Sequence, residues 1–83
     1  PVALDLVGYG YFLLHDFVSA GRFLDQALQS RPDYAPAHLH LGLVYLSEGD
    51  PGQARLHLIR AVELAPGPST AEQAGRILAQ YFP

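Results

Sequence analysis

Apolar residues recur along the chain in five blocks at helical spacing, separated by short stretches of Gly, Pro, Asp and Ser. The first block differs from the rest. Val2, Ala3, Leu4, Leu6, Val7, Tyr9, Tyr11, Phe12, Leu13 and Leu14 surround its circumference, and Asp5 is its only charge. A helix that is apolar on every side needs cover on every side, and one neighbouring helix cannot supply it. The last block instead carries a single stripe, Ala71, Ala74, Ile77, Leu78, Tyr81 and Phe82, which predicts an amphipathic closing helix. Punctuation sets the boundaries. Asp50 and Pro51 read as N-cap and first helical residue, Gly49 closes the helix before them, and Pro32 and Pro66 stop the second and fourth blocks. Ser69 and Glu72 have capping-box spacing and mark the start of the closing helix. The pattern predicts an all-α chain of five helices, at 2–14, 17–30, 34–48, 51–64 and 69–82.

The blocks repeat. A shift of 34 residues aligns Ala3 with Ala37, Gly8 with Gly42, Tyr11 with Tyr45, Asp16 with Asp50, Ala20 with Ala54, Leu24 with Leu58, Ala27 with Ala61 and Pro32 with Pro66. A Gly inside an apolar helix costs about 1 kcal/mol relative to Ala, so its recurrence at Gly8 and Gly42 implies close approach of a neighbouring helix. Ala20 and Ala27, like Ala54 and Ala61, lie two turns apart on one face, which lets the two helices of a repeat nest. Tyr11 and Tyr45 supply the large counterpart that fills the remaining volume.

These small, aromatic, small, small and Pro positions resemble the tetratricopeptide repeat family, over residues 1 to 66 in full, with Ala71 continuing the phase. The resemblance implies a right-handed superhelix of antiparallel helix pairs, an α-solenoid with repeats at 1–34 and 35–68 and a terminal helix at 69–82, in one domain. The chain starts at Pro1 inside a helical pattern and without an initiating Met, so a piece of a longer protein is expected. It also implies a concave groove lined chiefly by the first helix of each repeat. Its positions fall here on Asp5, Tyr9, Phe12 and Leu13, on Leu39, Leu43, Leu46 and Ser47, and on Gln73, Ile77 and Gln80. Family members that grip acidic chaperone tails use Lys, Arg and Asn in this groove; with no Lys and no Asn, this chain does not fit that role. A mostly apolar groove suits an amphipathic helix or a hydrophobic peptide segment of a protein partner. The first repeat departs from the family at Leu4, where Trp is common, at His15, where the turn usually has Gly, and at Gly21 inside the second helix. An irregular first hairpin is expected.

Composition narrows the alternatives. The net charge is −3 and the five basic residues are all arginines scattered singly, so neither nucleic acid nor an anionic membrane surface is an expected partner. The apolar run from Leu6 to Leu14 is far short of a membrane span. There is no Cys, hence neither a disulfide framework nor a thiolate metal site. His38 and His40, two apart on a helix, point to nearly opposite sides; His38 shares a core-facing position with Leu4, and His15 and His57 have no partner at metal spacing. No metal or cofactor is expected. Ser19, Ser30, Ser47 and Ser69 lack a nucleophile-elbow frame, and Asp16 and Asp50 read as caps, so no catalytic residues and no enzyme are expected. The compartment is open, with a cytoplasmic location slightly favoured. The leading expectation is a protein-binding scaffold, with self-association of two copies through the apolar first helix and the groove also anticipated. The alternative is a structural element for oligomerisation or for bracing a larger repeat array or a multidomain regulatory protein.

Overall fold

The computed structural model describes residues 1–83. It contains five α-helices: α1 Val2–Leu13, α2 Phe17–Ser30, α3 Ala35–Ser47, α4 Pro51–Leu64 and α5 Pro68–Tyr81. Each packs on the next, and short turns fold consecutive helices back on one another. The first helices of successive hairpins, α1, α3 and α5, also touch in order, whereas α2 and α4 do not touch each other. This stacking makes an all-α helical-repeat solenoid with α1 at one end and α5 at the other.

The turn after α1 and the turn after α3 are built alike. The Asp16 N–H donates to the Tyr11 carbonyl (3.0 Å) and the His15 N–H to Phe12 (2.9 Å); the Asp50 N–H donates to Tyr45 (2.9 Å) and the Gly49 N–H to Leu46 (3.2 Å). Both are Schellman closures, which require a left-handed residue at their hinge. Gly49 fills that role at φ +79, and His15 fills it at φ +63. The expected irregularity of the first hairpin is thus confined to one strained residue: α1 and α2 run unbroken, and Gly21 has open space around it. A side chain in the left-handed region costs about 1–2 kcal/mol, so His15→Gly should raise the stability by about 0.5–1 kcal/mol after roughly 0.5–1 kcal/mol for the entropy of the added Gly is discounted. A urea midpoint that does not rise would contradict this.

Asp16 and Asp50 then start the next helices, each accepting a backbone N–H three residues on, from Ser19 and Gln53, at 3.2 Å. The start of α5 differs from its sequence reading. Pro68 is the first helical residue and Gly67 the N-cap, with no side-chain cap. Pro with its fixed φ is preorganised for that first position, which draws Ser69 into the helix, where its hydroxyl accepts from the Gln73 amide at 3.2 Å.

Two small cores hold the stack. Ala20, Leu24 and Ala27 of α2 meet Ala37, Leu41 and Val44 of α3, with Leu4, Tyr11 and Phe12 of α1 against them. Leu39 of α3 meets Leu58 and Ala61 of α4 and Ala74 of α5. The recurring glycines mark the tightest contacts: a Cβ at Gly8 would lie 2.7 Å from Leu24 Cγ, and one at Gly42 2.7 Å from Leu58 Cγ and Cδ2. Tyr11 stacks on Phe23 at 5.4 Å, and its equivalent Tyr45 stacks on His57 at 5.5 Å.

Candidate docking surface

α1 contacts only α2 and α3. Its buried side is Asp5 and Gly8 with Leu4, Tyr11 and Phe12 partly covered; Tyr9 and Gly10 are also partly covered, and the remainder is open. At 3.6 residues per turn the open side divides into two stripes, each about 60° wide. Val2, Leu6, Tyr9 and Leu13 form one, with Val2 55%, Leu6 62% and Leu13 60% exposed. Ala3, Val7, Gly10 and Leu14 form the other, with Leu14 77% exposed.

The first stripe continues onto the neighbouring first helices. Its 34-residue equivalents on α3 are Pro36, His40, Leu43 and Ser47, all at least partly exposed. Phe12, Leu46 and Ile77 are half-buried beside it, each leaning on one of the two cores. Aromatic rings connect this surface: Tyr9 stacks on Phe12 at 5.9 Å and on His40 at 4.3 Å, and Phe12 tilts against Phe17 at 5.8 Å. Gln73 and Gln80 are exposed on α5.

Two residues assigned to the groove from sequence do not line it. Asp5 and Leu39 are each 3% exposed. They occupy equivalent positions at the seam between consecutive first helices, Asp5 against His40 and Leu39 in the core with Ala74, and Ala74 is itself the equivalent of His40. Conversely, Val2, Leu6 and His40 belong to the open stripe and were not among the sequence-derived groove positions. The helical wheel of α1 held the signal for the first two, since both lie beside Leu13 on it.

Electrostatically the surface is almost bare. Asp5 is the only charged residue on α1 and α3, and His40 Nδ1 stands 2.7 Å from its Oδ1. Partial burial raises the Tyr34 hydroxyl above its usual range; the Asp5 carboxylate adds to that and Arg31 opposes it. A second polar cluster lies between α3 and α4. His38 and His57 approach Nδ1 to Nδ1 at 3.0 Å, and His38 Nε2 lies 2.9 Å from the Pro32 carbonyl. A carbonyl only accepts, so His38 Nε2 carries hydrogen; its neutral Nδ1 then accepts from His57 Nδ1–H. Burial lowers the His57 pKa, and His38 lowers it further. No three His, Asp or Glu side chains converge as a metal site would require.

A cleft of about 450 Å³ opens elsewhere, where the turns before α3 and α5 meet. Its guanidinium, Arg31, is already paired with Asp33 at 3.3 Å and sits over the Tyr34 ring at 5.7 Å. No helix is long and apolar enough to cross a membrane.

No curated protein and no solved structure matches the chain at a significant level. Residues 11–81 match the family model described as tetratricopeptide repeat, a family whose members typically bind proteins or peptides and are non-catalytic. That match covers most of the chain and agrees with the stacked helical hairpins and the Gly–Leu contacts that recur every 34 residues, and the chain belongs to the tetratricopeptide repeat family.

Proposed function

We propose that this chain is a non-catalytic docking module whose apolar stripe, running from Val2, Leu6, Tyr9 and Leu13 toward Leu43, Leu46 and Ile77, receives an amphipathic helix or hydrophobic segment of a partner protein. The observation that carries this reading is the exposure of Val2, Leu6 and Leu13, three large apolar side chains on one stripe of one helix. Contiguous apolar surface of this kind is uncommon on a soluble protein unless something covers it. Because Leu6 and Leu13 contribute little to either core, the double substitution Leu6→Glu, Leu13→Glu should leave the circular dichroism and the urea midpoint nearly unchanged. The same variant should lower the affinity for a helical peptide selected on the unaltered chain by at least a hundredfold. Undiminished binding would refute the docking site, and unfolding would point to a purely structural stripe.

A second reading concerns the other stripe. The 34-residue equivalents of Ala3, Val7 and Gly10 are Ala37, Leu41 and Val44, all within 1% of full burial and packed in one core with α2. An α1 stripe with the same apolar character favours association of two copies through α1. Sedimentation over a range of concentrations should show a dimer that Val7→Glu with Leu14→Glu abolishes and Leu6→Glu does not. A monomer at every concentration would overturn this second reading.

A further inference from the structure

The Asp5 side chain is 4% exposed and its carboxylate meets one hydrogen-bonding side chain, the His40 imidazole. A carboxylate only accepts, so the hydrogen sits on His40 Nδ1. Tyr9 stacks on the same ring and fixes its plane. Nε2 has no protein partner; as no fully buried side-chain nitrogen or oxygen is left unpaired in this protein, Nε2 reaches solvent. One repeat later the same seam is closed by Leu39 and Ala74 without any charge. The fold therefore does not need a carboxylate here, and a buried charged pair is a poor source of stability compared with apolar packing.

With Asp5 ionised, the Asp5–His40 pair is negative when the imidazole is neutral and carries no net charge when it is protonated. An acidic group gains no net attraction from it, and no Lys or Arg on α1 or α3 would draw one in. An ammonium or guanidinium, by contrast, is attracted to the pair with its neutral imidazole, can donate to the Nε2 lone pair of that form, and lies beside the rings of Tyr9 and Phe12. The surrounding stripe is apolar, so such a cation must arrive within an apolar face. On the reading of this surface as a docking groove, we propose that its occupant is an amphipathic helix of a partner protein carrying one Lys or Arg inside its apolar stripe, seated on His40.

The test is a displayed library of helical peptides with a fixed Leu stripe and one stripe position varied among Leu, Gln, Glu, Lys and Arg, selected on the unaltered chain. Lys or Arg should return at that position. A selected Lys peptide should lose at least tenfold in affinity on change of that Lys to Met, and the Asp5→Asn chain should no longer distinguish the two peptides. Return of Leu or Glu, or a Lys preference undiminished in Asp5→Asn, overturns the proposal while leaving the groove standing. Enrichment of no peptide at all removes the groove and this proposal together. Should Asp5→Asn not fold, the salt dependence of binding on the unaltered chain decides: a steeper loss for the Lys peptide than for its Met counterpart supports the cation seat, and equal slopes refute it.

Discussion

Leu58→Ala should cost about 3–5 kcal/mol, the usual range for truncating a fully enclosed Leu whose site cannot collapse. Leu58 is 0% exposed and joins α3, α4 and α5 in one core. A chain of 83 residues at ordinary stability holds roughly 4–12 kcal/mol in all, so this one change removes much of it. Gly42→Ala should also destabilise, by about 1–3 kcal/mol, because the new methyl would stand 2.7 Å from both Cγ and Cδ2 of Leu58, and a branching Cγ cannot swing aside as a flexible side-chain tip can. The two changes together should cost less than their sum by at least about 1 kcal/mol, since truncation of Leu58 vacates the space that the methyl added at Gly42 fills. Urea midpoints of the four-member cycle measure this. Strict additivity would mean that the Gly42–Leu58 contact does not set the spacing of α3 and α4.

The second large effect is a loss of stability in mild acid. Burial, and then His38, lower the pKa of His57 in the folded protein, whereas in the unfolded chain His57 titrates near its ordinary value of about 6.5. The unfolded chain therefore binds more protons between those two values, and stability must fall as the pH drops from above 6.5 toward the depressed folded value, then level off. The groups around His57 do not reverse the sign: His38 is a second base, and Tyr45, stacked on the ring, is neutral throughout this range because burial and the nearby Asp25, Glu48 and Asp50 carboxylates all raise its hydroxyl. The urea midpoint should be lower at pH 5 than at pH 7.5. Replacement of His57 by Phe, the residue at the equivalent position 23, should flatten that dependence. An unchanged slope in His57→Phe would assign the effect to another group.

Local features were legible because local chemistry decides them. Asp16 and Asp50 with their three-residue reach, Gly49 in the left-handed region and the Pro residues that end α2 and α4 each act within one turn, and every helix end lies within one residue of its expected place. Gly8 and Gly42 were equally readable, as a costly residue repeated at one spacing implies a contact. At α5 two local signals competed, and Pro68 prevailed over the Ser69 capping box.

The polar pairs were not legible, since they join residues 19 and 35 apart whose meeting depends on how hairpins stack. The repeat still held a trace of each. The shift that turns Leu4 into His38 also turns Phe23 into His57, a paired exchange of apolar for polar on facing helices. Asp5 looked like a groove residue because one helix alone leaves it uncovered; α3 buries it in the stack.

The central claim is that the open stripe of α1 and its continuation on α3 form a docking surface for a partner helix. Amide shift mapping by NMR with a selected helical peptide tests it most directly. The largest perturbations should fall on Leu6, Tyr9, Leu13, His40 and Leu43, with α2 and the outer face of α4 nearly silent. Perturbations centred on α2, α4 or the cleft around Arg31, with the α1 stripe unmoved, would contradict it.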